Sequence, residues 1–390
     1  MALGLYISVP FCRTKCTYCN FASDVFSKAV FERYINRVSG DIANSGATAQ
    51  QMGGQMDRTV DSIYLGGGTP TVLEVKQLER LFVTISQNFN VLPGAEITGE
   101  CAPGTLKPEM VEALSRCGVN RVSLGVQSFV DEEATAVGRL HRRKTVLEDI
   151  AALRTAGIDN IGIDLIAGLP HQTEESWRSS LQQTIDSAVP HVSVYMLEVD
   201  QDSRLGRELI AGGTRYHAHF VPDEDLTADL YMTACEELEK AGIRQYEISN
   251  FARVGMQSRH NLKYWTRQPY VGFGVDAHSM LQSQSGAAVR FSIPDSLEDY
   301  VAGKPLQRTA VDRSAALEEA FFLGLRLNRG VDLNELIAEF GEDPVLDRSP
   351  VLTELSDLGL LQRDGSIIRL TSRGRLLSNE VFERFLVPAS

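Results

Sequence analysis

Cys12, Cys16 and Cys19 fall in the stretch PFCRTKCTYCNF, at spacings of four and three residues. Three thiolates crowded on one short loop can hold a metal ion or an iron–sulfur cluster. A structural zinc site closes with four ligands, usually from paired C-x2-C or Cys/His sets. Here the spacing is C-x3-C-x2-C, and no further Cys or His follows until Cys101. A [4Fe–4S] cluster normally takes four cysteines. Three would leave one iron without a protein ligand and open to a small chelating molecule.

Other residues able to contact such a molecule recur at regular intervals. Three stretches, RCGVNRVSLG (116–125), TAGIDNIGID (155–164) and KAGIRQYEIS (240–249), pass from a helical pattern through glycine into a β-branched run. Glycine just past a helix suits a left-handed C-cap, and the apolar run that follows suits a buried strand. Helix-then-strand repetition predicts βαβ units around a parallel sheet. Six strands are expected, at Leu5–Val9, Ser62–Leu65, Glu96–Cys101, Arg121–Val126, Asn160–Ile166 and His191–Leu197. Amphipathic helices lie between them, one carrying Phe31, Tyr34, Ile35 and Val38 on one face. The Gly/Gln-rich stretch Ser45–Met56 reads as a loop.

In a parallel α/β barrel, chemistry collects at the C-terminal ends of the strands. The cysteine loop follows the first expected strand, and Gly66 to Pro70 (GGGTP) follows the second. Glu100 ends the third, Gln127 the fourth, and Asp164 with the stretch from Gly168 to Pro170 the fifth. Glycines let backbone groups approach a ligand closely, and a rim carboxylate or amide can bind hydroxyl or amino groups.

The chain has 390 residues, 43% of them apolar and 23% charged, with a net charge of −13. That length implies a large domain with additions, and the acidic balance argues against a general nucleic-acid binder. No long apolar run or signal peptide is evident. Six cysteines, three of them clustered, suggest a reducing, cytoplasmic setting. The end of the chain reads as a helix, a break at Gly359, a hairpin turning at Asp364–Gly365 and a closing helix, a winged-helix-like pattern. Five arginines and five acidic residues balance there between Val351 and Ser390, so a packing module is expected and not a DNA reader.

The C-x3-C-x2-C motif resembles the signature of radical S-adenosylmethionine (SAM) enzymes. The resemblance extends over nearly the whole chain to the HemN-like group, which contains oxygen-independent coproporphyrinogen III dehydrogenases and HemW heme chaperones. LYISVPFC, YLGGGTPT, SLGVQSF, DLIAGLP, YEISNFA, HNLKYW and LSNEVFERFL carry it toward the HemW branch. It implies a partial (β/α)6 TIM-like barrel with a [4Fe–4S] cluster on Cys12, Cys16 and Cys19. It also implies SAM contacts by Tyr6, Tyr18, Gly67, Gly68, Thr69, Glu100, Gln127, Arg139 and Asp164. HNLKYW resembles an HNxxY motif associated with heme, which implies heme contact by His260, Asn261 or Tyr264.

The dehydrogenases extend the cluster motif to a fourth cysteine, where this chain has Phe21, and they engage substrate through an N-terminal extension that is not expected here. Position 8 is Ser where the group usually has His, and Cys101-Ala102-Pro103 replaces a common Ala-Asn-Pro. Three regions are expected: the cofactor barrel at 1–200, a barrel extension with the HNxxY segment at 201–310, and the C-terminal module at 311–390. The resemblance implies a chaperone that passes heme to respiratory apoproteins, in one or several copies. The alternatives are a coproporphyrinogen III dehydrogenase or a radical SAM enzyme with another substrate. His278 is expected near SAM, whereas YHAHF (216–220) reads as a surface loop outside the group's pattern.

Overall fold

A computed structural model describes residues 1–386. Six parallel strands form its centre: β1 (Leu3–Val9), β2 (Thr59–Gly67), β3 (Asn90–Cys101), β4 (Arg121–Gln127), β5 (Asn160–Ala167) and β6 (His191–Met196). They pair in sequence order, each in parallel with the next. Gly118, Gly157 and Gly242, the glycines of the repeated helix-to-strand units, all take left-handed backbone angles, with φ of 77°, 82° and 75°. A side chain there would be strained, which is why these helices stop where they do.

The strands alternate sharply. Leu5, Ile7 and Val9, Ile63 and Leu65, Val122, Leu124 and Val126, and Ile161, Ile163 and Leu165 are buried in one continuous core. Helix Lys28–Ala43 adds Phe31, Tyr34, Ile35 and Val38 to that core. The alternate positions carry Tyr6, Tyr64, Glu100, Ser123, Asp164 and Ser193. Register sets Tyr6 beside Tyr64, Glu100 beside Ser123, and Asp164 beside Ser193. One face of the sheet is thus apolar and packed by helices, while the other is lined with polar groups.

The sheet is larger than expected. β7 (Arg244–Gln245) and β8 (Asn250–Ala252) extend it antiparallel beyond β6. β9 (Tyr270–Phe273) joins β1 in parallel, and β10 (His278–Gln282), β11 (Ala288–Ser292) and β12 (Gln307–Ala310) follow antiparallel. The segment from the HNxxY motif to residue 310, in which no strand is expected, therefore contains short strands and helices. Its runs of two to five residues are too brief to show a period by themselves. The expected loop at Ser45–Met56 begins with a helix, Ser45–Gln51, held by the buried Ala49. Alanines there outweigh the Gly/Gln composition.

A second core spans the C-terminal part, from Val311 to Phe385. It joins helix Arg313–Leu325 to a small sheet of β13 (Val331–Asp332), β14 (Leu361–Asp364) and β15 (Ile367–Leu370). The hairpin turns at Asp364 and Gly365, and helices Ser372–Leu376 and Ser378–Glu383 close it.

Candidate functional site

A cavity of about 570 Å³ opens at the C-terminal ends of the parallel strands. Cys12, Cys16, Cys19, Tyr18, Gly67, Gly68, Thr69, Glu100, Gln127, Arg139 and Asp164 all line it. Residues drawn from five strand ends are thus brought to one place. Tyr6 lies just below, its ring 6.1 Å from that of Tyr64.

Backbone contacts fix the cysteine loop. Cys12 N–H donates to Asp24 O at 3.0 Å, Cys19 N–H to Cys16 O at 3.3 Å, and Thr17 N–H to Val137 O at 3.2 Å. Lys15 Nζ gathers the carbonyls of Phe21 and Ser23. Burial pushes the Cys12 thiol's pKa up, opposed by hydrogen bonds from Ser23 and Thr69. A thiolate at Cys12 therefore calls for a cationic partner. Phe21, where a fourth thiol would stand, is 65% exposed at the cavity mouth.

The glycine run explains itself by space. Gly68 N–H donates to Val9 O at 2.9 Å and Thr69 N–H to Phe11 O at 2.8 Å. A Cβ on Gly68 would stand 2.7 Å from Val9 O and 2.8 Å from Phe11 O. The turn after β2 therefore presses directly on the chain leading into the cysteines.

Deeper in, Glu100 accepts from Tyr64 OH at 2.8 Å. Burial lifts its carboxyl to about 7, with nearby Asp164 adding to the rise. Asp164 is likewise raised by burial, although Ser123 donates to it at 3.0 Å. A bulge after Gly125 turns Gln127 to φ 71° and leaves its Oε1 buried without a partner. Arg139 donates to Cys16 Sγ at 3.5 Å and to Gly125 O, while its Nε is unpartnered. Burial opposes the charge of Arg139, but Tyr18 and Cys16 beside it outweigh burial and raise its pKa.

Three soft donors, two under-compensated carboxylates and an orphaned amide oxygen around one cavity fit an iron–sulfur cluster and a cationic organic ligand. SAM, with its sulfonium and ammonium groups, is such a ligand.

The HNxxY segment lies elsewhere. Helix Arg259–Trp265 packs against the N-terminal half of β2 and β3, and Glu96 caps it by accepting from the N–H groups of Arg259 and His260. His260 is 1% exposed, with Nδ1 3.0 Å from Ser62 Oγ and Nε2 2.9 Å from Tyr264 OH. Both ring nitrogens are paired within the protein, and the pair with Tyr264 braces the barrel. Asn261 donates its backbone N–H to Ser258 Oγ, and Ser62 and Tyr264 orient the imidazole. His278, expected near SAM, has a 67% exposed side chain beside Asp276 and does not line the cavity.

Cavity-lining residues that motif reading missed include Ser123, Tyr195, Arg326, Ser378 and Asn379. The alternation of Ser193 and Tyr195 along β6 marks the inner face and could have revealed Tyr195. Ser378 and Asn379 fall in LSNEVFERFL, a stretch that carries the resemblance but no site assignment, whereas Arg326 lies in none of the quoted stretches.

This fold and this cavity define a radical SAM protein. Residues 6–183 match the model of the radical SAM superfamily, and residues 311–377 that of the HemN C-terminal domain. Heme chaperone HemW of Bacillus subtilis is 34% identical over 388 residues, covering 98% of each chain. HemW of Escherichia coli is 31% identical, again with 98% of each chain covered. The chain belongs to the HemW family within the radical SAM superfamily. In three dimensions it resembles coproporphyrinogen III oxidase (HemN) from Escherichia coli, with a TM-score of 0.84 over 98% of this chain and 90% of that one at 23% identity. Superfamily membership brings a [4Fe–4S] cluster and SAM as cofactors. No helix among the described residues is long and apolar enough to cross a membrane.

Proposed function

We propose that this protein is a heme chaperone of the cytoplasm that takes up heme and passes it to respiratory apoproteins. The supporting observation is full-length similarity to relatives named heme chaperone HemW, joined to an intact three-thiol cavity. In this reading Cys12, Cys16 and Cys19 hold the cluster. Gly67, Gly68 and Thr69 meet the methionine end of SAM, and Tyr6, Tyr18, Glu100, Gln127, Arg139 and Asp164 hold the rest. When bound, the pair supplies one-electron chemistry at a sulfonium centre.

The chain's own groups do the positioning. Gly68 and Thr69 lock the turn against the cysteine loop, Arg139 offsets negative charge at Cys16, and Glu100 with Asp164 neutralises a cationic ligand. Residues 1–200 form the cofactor unit, 201–310 extend its sheet, and the C-terminal module, described to residue 386, covers the cavity. Change in cluster content shifts the population between free and self-associated copies, since a ligand favours the form that binds it best.

Anaerobically reconstituted protein, titrated with hemin and followed by its Soret band, tests the reading. Micromolar or tighter binding is expected. Absence of hemin binding, or efficient decarboxylation of coproporphyrinogen III with SAM and a reductant, overturns it.

A further inference from the structure

Helix Arg259–Trp265, which carries the HNxxY segment, is clamped by a single strand. Between Asp61 and Tyr64, β2 makes three contacts with it. Asp61 pairs with the buried Lys263 Nζ at 2.8 Å. Ser62 Oγ lies 3.0 Å from His260 Nδ1. The Tyr64 ring stacks on the His260 imidazole, with centroids 5.3 Å apart and planes inclined at 29°.

Tyr64 has a second partner. Its OH donates to Glu100 at 2.8 Å, and Glu100 lines the cofactor cavity. One side chain thus bridges a cavity carboxylate and the HNxxY imidazole. The next position on this face of β2 is Gly66. A Cβ there would stand 2.8 Å from the Tyr64 ring and 2.9 Å from Glu100 Oε1. The first glycine of the run therefore clears the space in which Tyr64 and Glu100 meet. Beyond it β2 runs into the turn at Gly67, Gly68 and Thr69, which also lines the cavity. The strand that clamps the helix is the strand that ends at the cofactor site.

The clamped arrangement has a consequence for iron. His260 is buried with both ring nitrogens paired, and Tyr264 OH is spent on His260. Either side chain reaches a heme iron only after giving up an internal bond. Whatever tightens the clamp therefore opposes heme. Burial leaves the Glu100 carboxyl under-compensated, with its pKa lifted to about 7. A cationic ligand beside it favours the carboxylate, and a hydrogen bond to a carboxylate is shorter and stronger than one to a neutral acceptor. Tyr64 is then held harder, and with it the ring on which His260 stacks.

Resting on the heme-chaperone reading above, and on heme contact by this helix, we propose that β2 couples the two cofactor sites with negative sign. SAM bound at Glu100 holds the HNxxY helix closed through Tyr64, and heme draws the helix open. Tyr64 is the positioning residue of this coupling. Coupling between two binding sites is reciprocal, so heme weakens SAM by the same factor. In a chaperone this sign makes the SAM-loaded form the one that gives heme up.

The test uses the anaerobically reconstituted full chain at pH 8 with no reductant, so that SAM is bound and not consumed. Hemin is titrated by its Soret band with and without saturating SAM, and amide hydrogen exchange is followed over residues 259–265. In the wild type, SAM is expected to raise the hemin Kd about fivefold or more and to slow exchange of the helix. Tyr64→Phe keeps the ring against His260 but loses the anchor on Glu100. It is expected to bind both SAM and hemin, with neither shift. Arg259→Ala, which loses only the bond from the guanidinium to Gly94 O, is expected to speed exchange of the helix yet keep the SAM-linked shift. A wild-type hemin affinity that SAM leaves unchanged or tightens overturns the proposal. So does a shift in Tyr64→Phe equal to that of the wild type, or loss of SAM binding in that variant, since Tyr64 would then serve the SAM site alone. Failure of the wild type to bind hemin overturns the chaperone reading, and the exchange measurement still decides whether β2 carries the coupling.

Discussion

Replacing Glu100 by Gln should stabilise the SAM-free protein while weakening SAM. Glu100 is a barrel-interior carboxylate whose close partners are Tyr64 OH and the backbone of Gly67, with a second carboxylate, Asp164, nearby. Its pKa is raised from 4.5 to about 7, first by burial. The folded state therefore holds this proton more tightly than the unfolded chain. The associated stability is present in full below pH 4.5 and is lost as pH rises through 7. At about 1.4 kcal/mol per pH unit, the ionised side chain costs the SAM-free fold about 3 kcal/mol at pH 8. Glu100→Gln removes that cost and should raise the melting temperature at pH 8 by about 3–6 °C, with no gain at pH 5. A cationic ligand instead needs the carboxylate. Wild-type SAM affinity should fall about tenfold per pH unit below 7, and the Gln variant should bind at least about tenfold more weakly at pH 8 and lose this slope. Thermal melts from pH 5 to 8 and equilibrium dialysis of SAM on reconstituted protein measure both. If the variant keeps the wild-type pH profile in either assay, Glu100 is not the ionising group and the electrostatic reading of the cavity fails.

Gly68→Ala places a Cβ within 3 Å of three backbone atoms of Val9 and Phe11. It should cost about 2–4 kcal/mol and lower iron and sulfide per chain after reconstitution, as thermal melts and iron analysis will report. His260→Ala leaves Ser62 Oγ and Tyr264 OH unpaired beside a new cavity. It should destabilise by about 2–4 kcal/mol in urea. Burial lowers His260 to about 3 and His141 to about 4, and holds His191 well below 6.5. Their stability contribution is present above 6.5 and lost as pH falls, so the three together should steepen acid unfolding by about 4 kcal/mol per pH unit near pH 5. His191→Gln should remove about a third of that slope in urea titrations at pH 5 to 7.

What could be read from the chain was whatever its local pattern fixes. The cysteine spacing, the glycine turn after β2 and the strand-end Glu100, Gln127 and Asp164 are each set by a few adjacent residues, and all of them line the cavity. Distant pairings were not legible. His260 reads as a free imidazole because the Ser62 that occupies its Nδ1 lies 198 residues away. Nor does YHAHF show its hydrogen bond from His217 to His171, which lies 46 residues earlier. The extra strands were missed for a related reason: β9 is only four residues long, and its pairing with β1 exists only after the barrel has formed.

The C-terminal module shows how the same cavity is finished from outside the barrel. Arg326 lines it, reaches Glu247 at 3.4 Å and stacks 4.2 Å over Trp265, one residue beyond Tyr264. Glu247 is fully buried, so losing Arg326 would leave an uncompensated charge. Ser378 and Asn379 add polar groups from the closing helix. The winged-helix-like unit thus contributes residues to the wall of the cavity. The C-terminal module rests on Glu247 and Trp265 while helix Arg204–Ile210 rests on the cysteine loop, so elements distant in sequence bound the cavity on two sides.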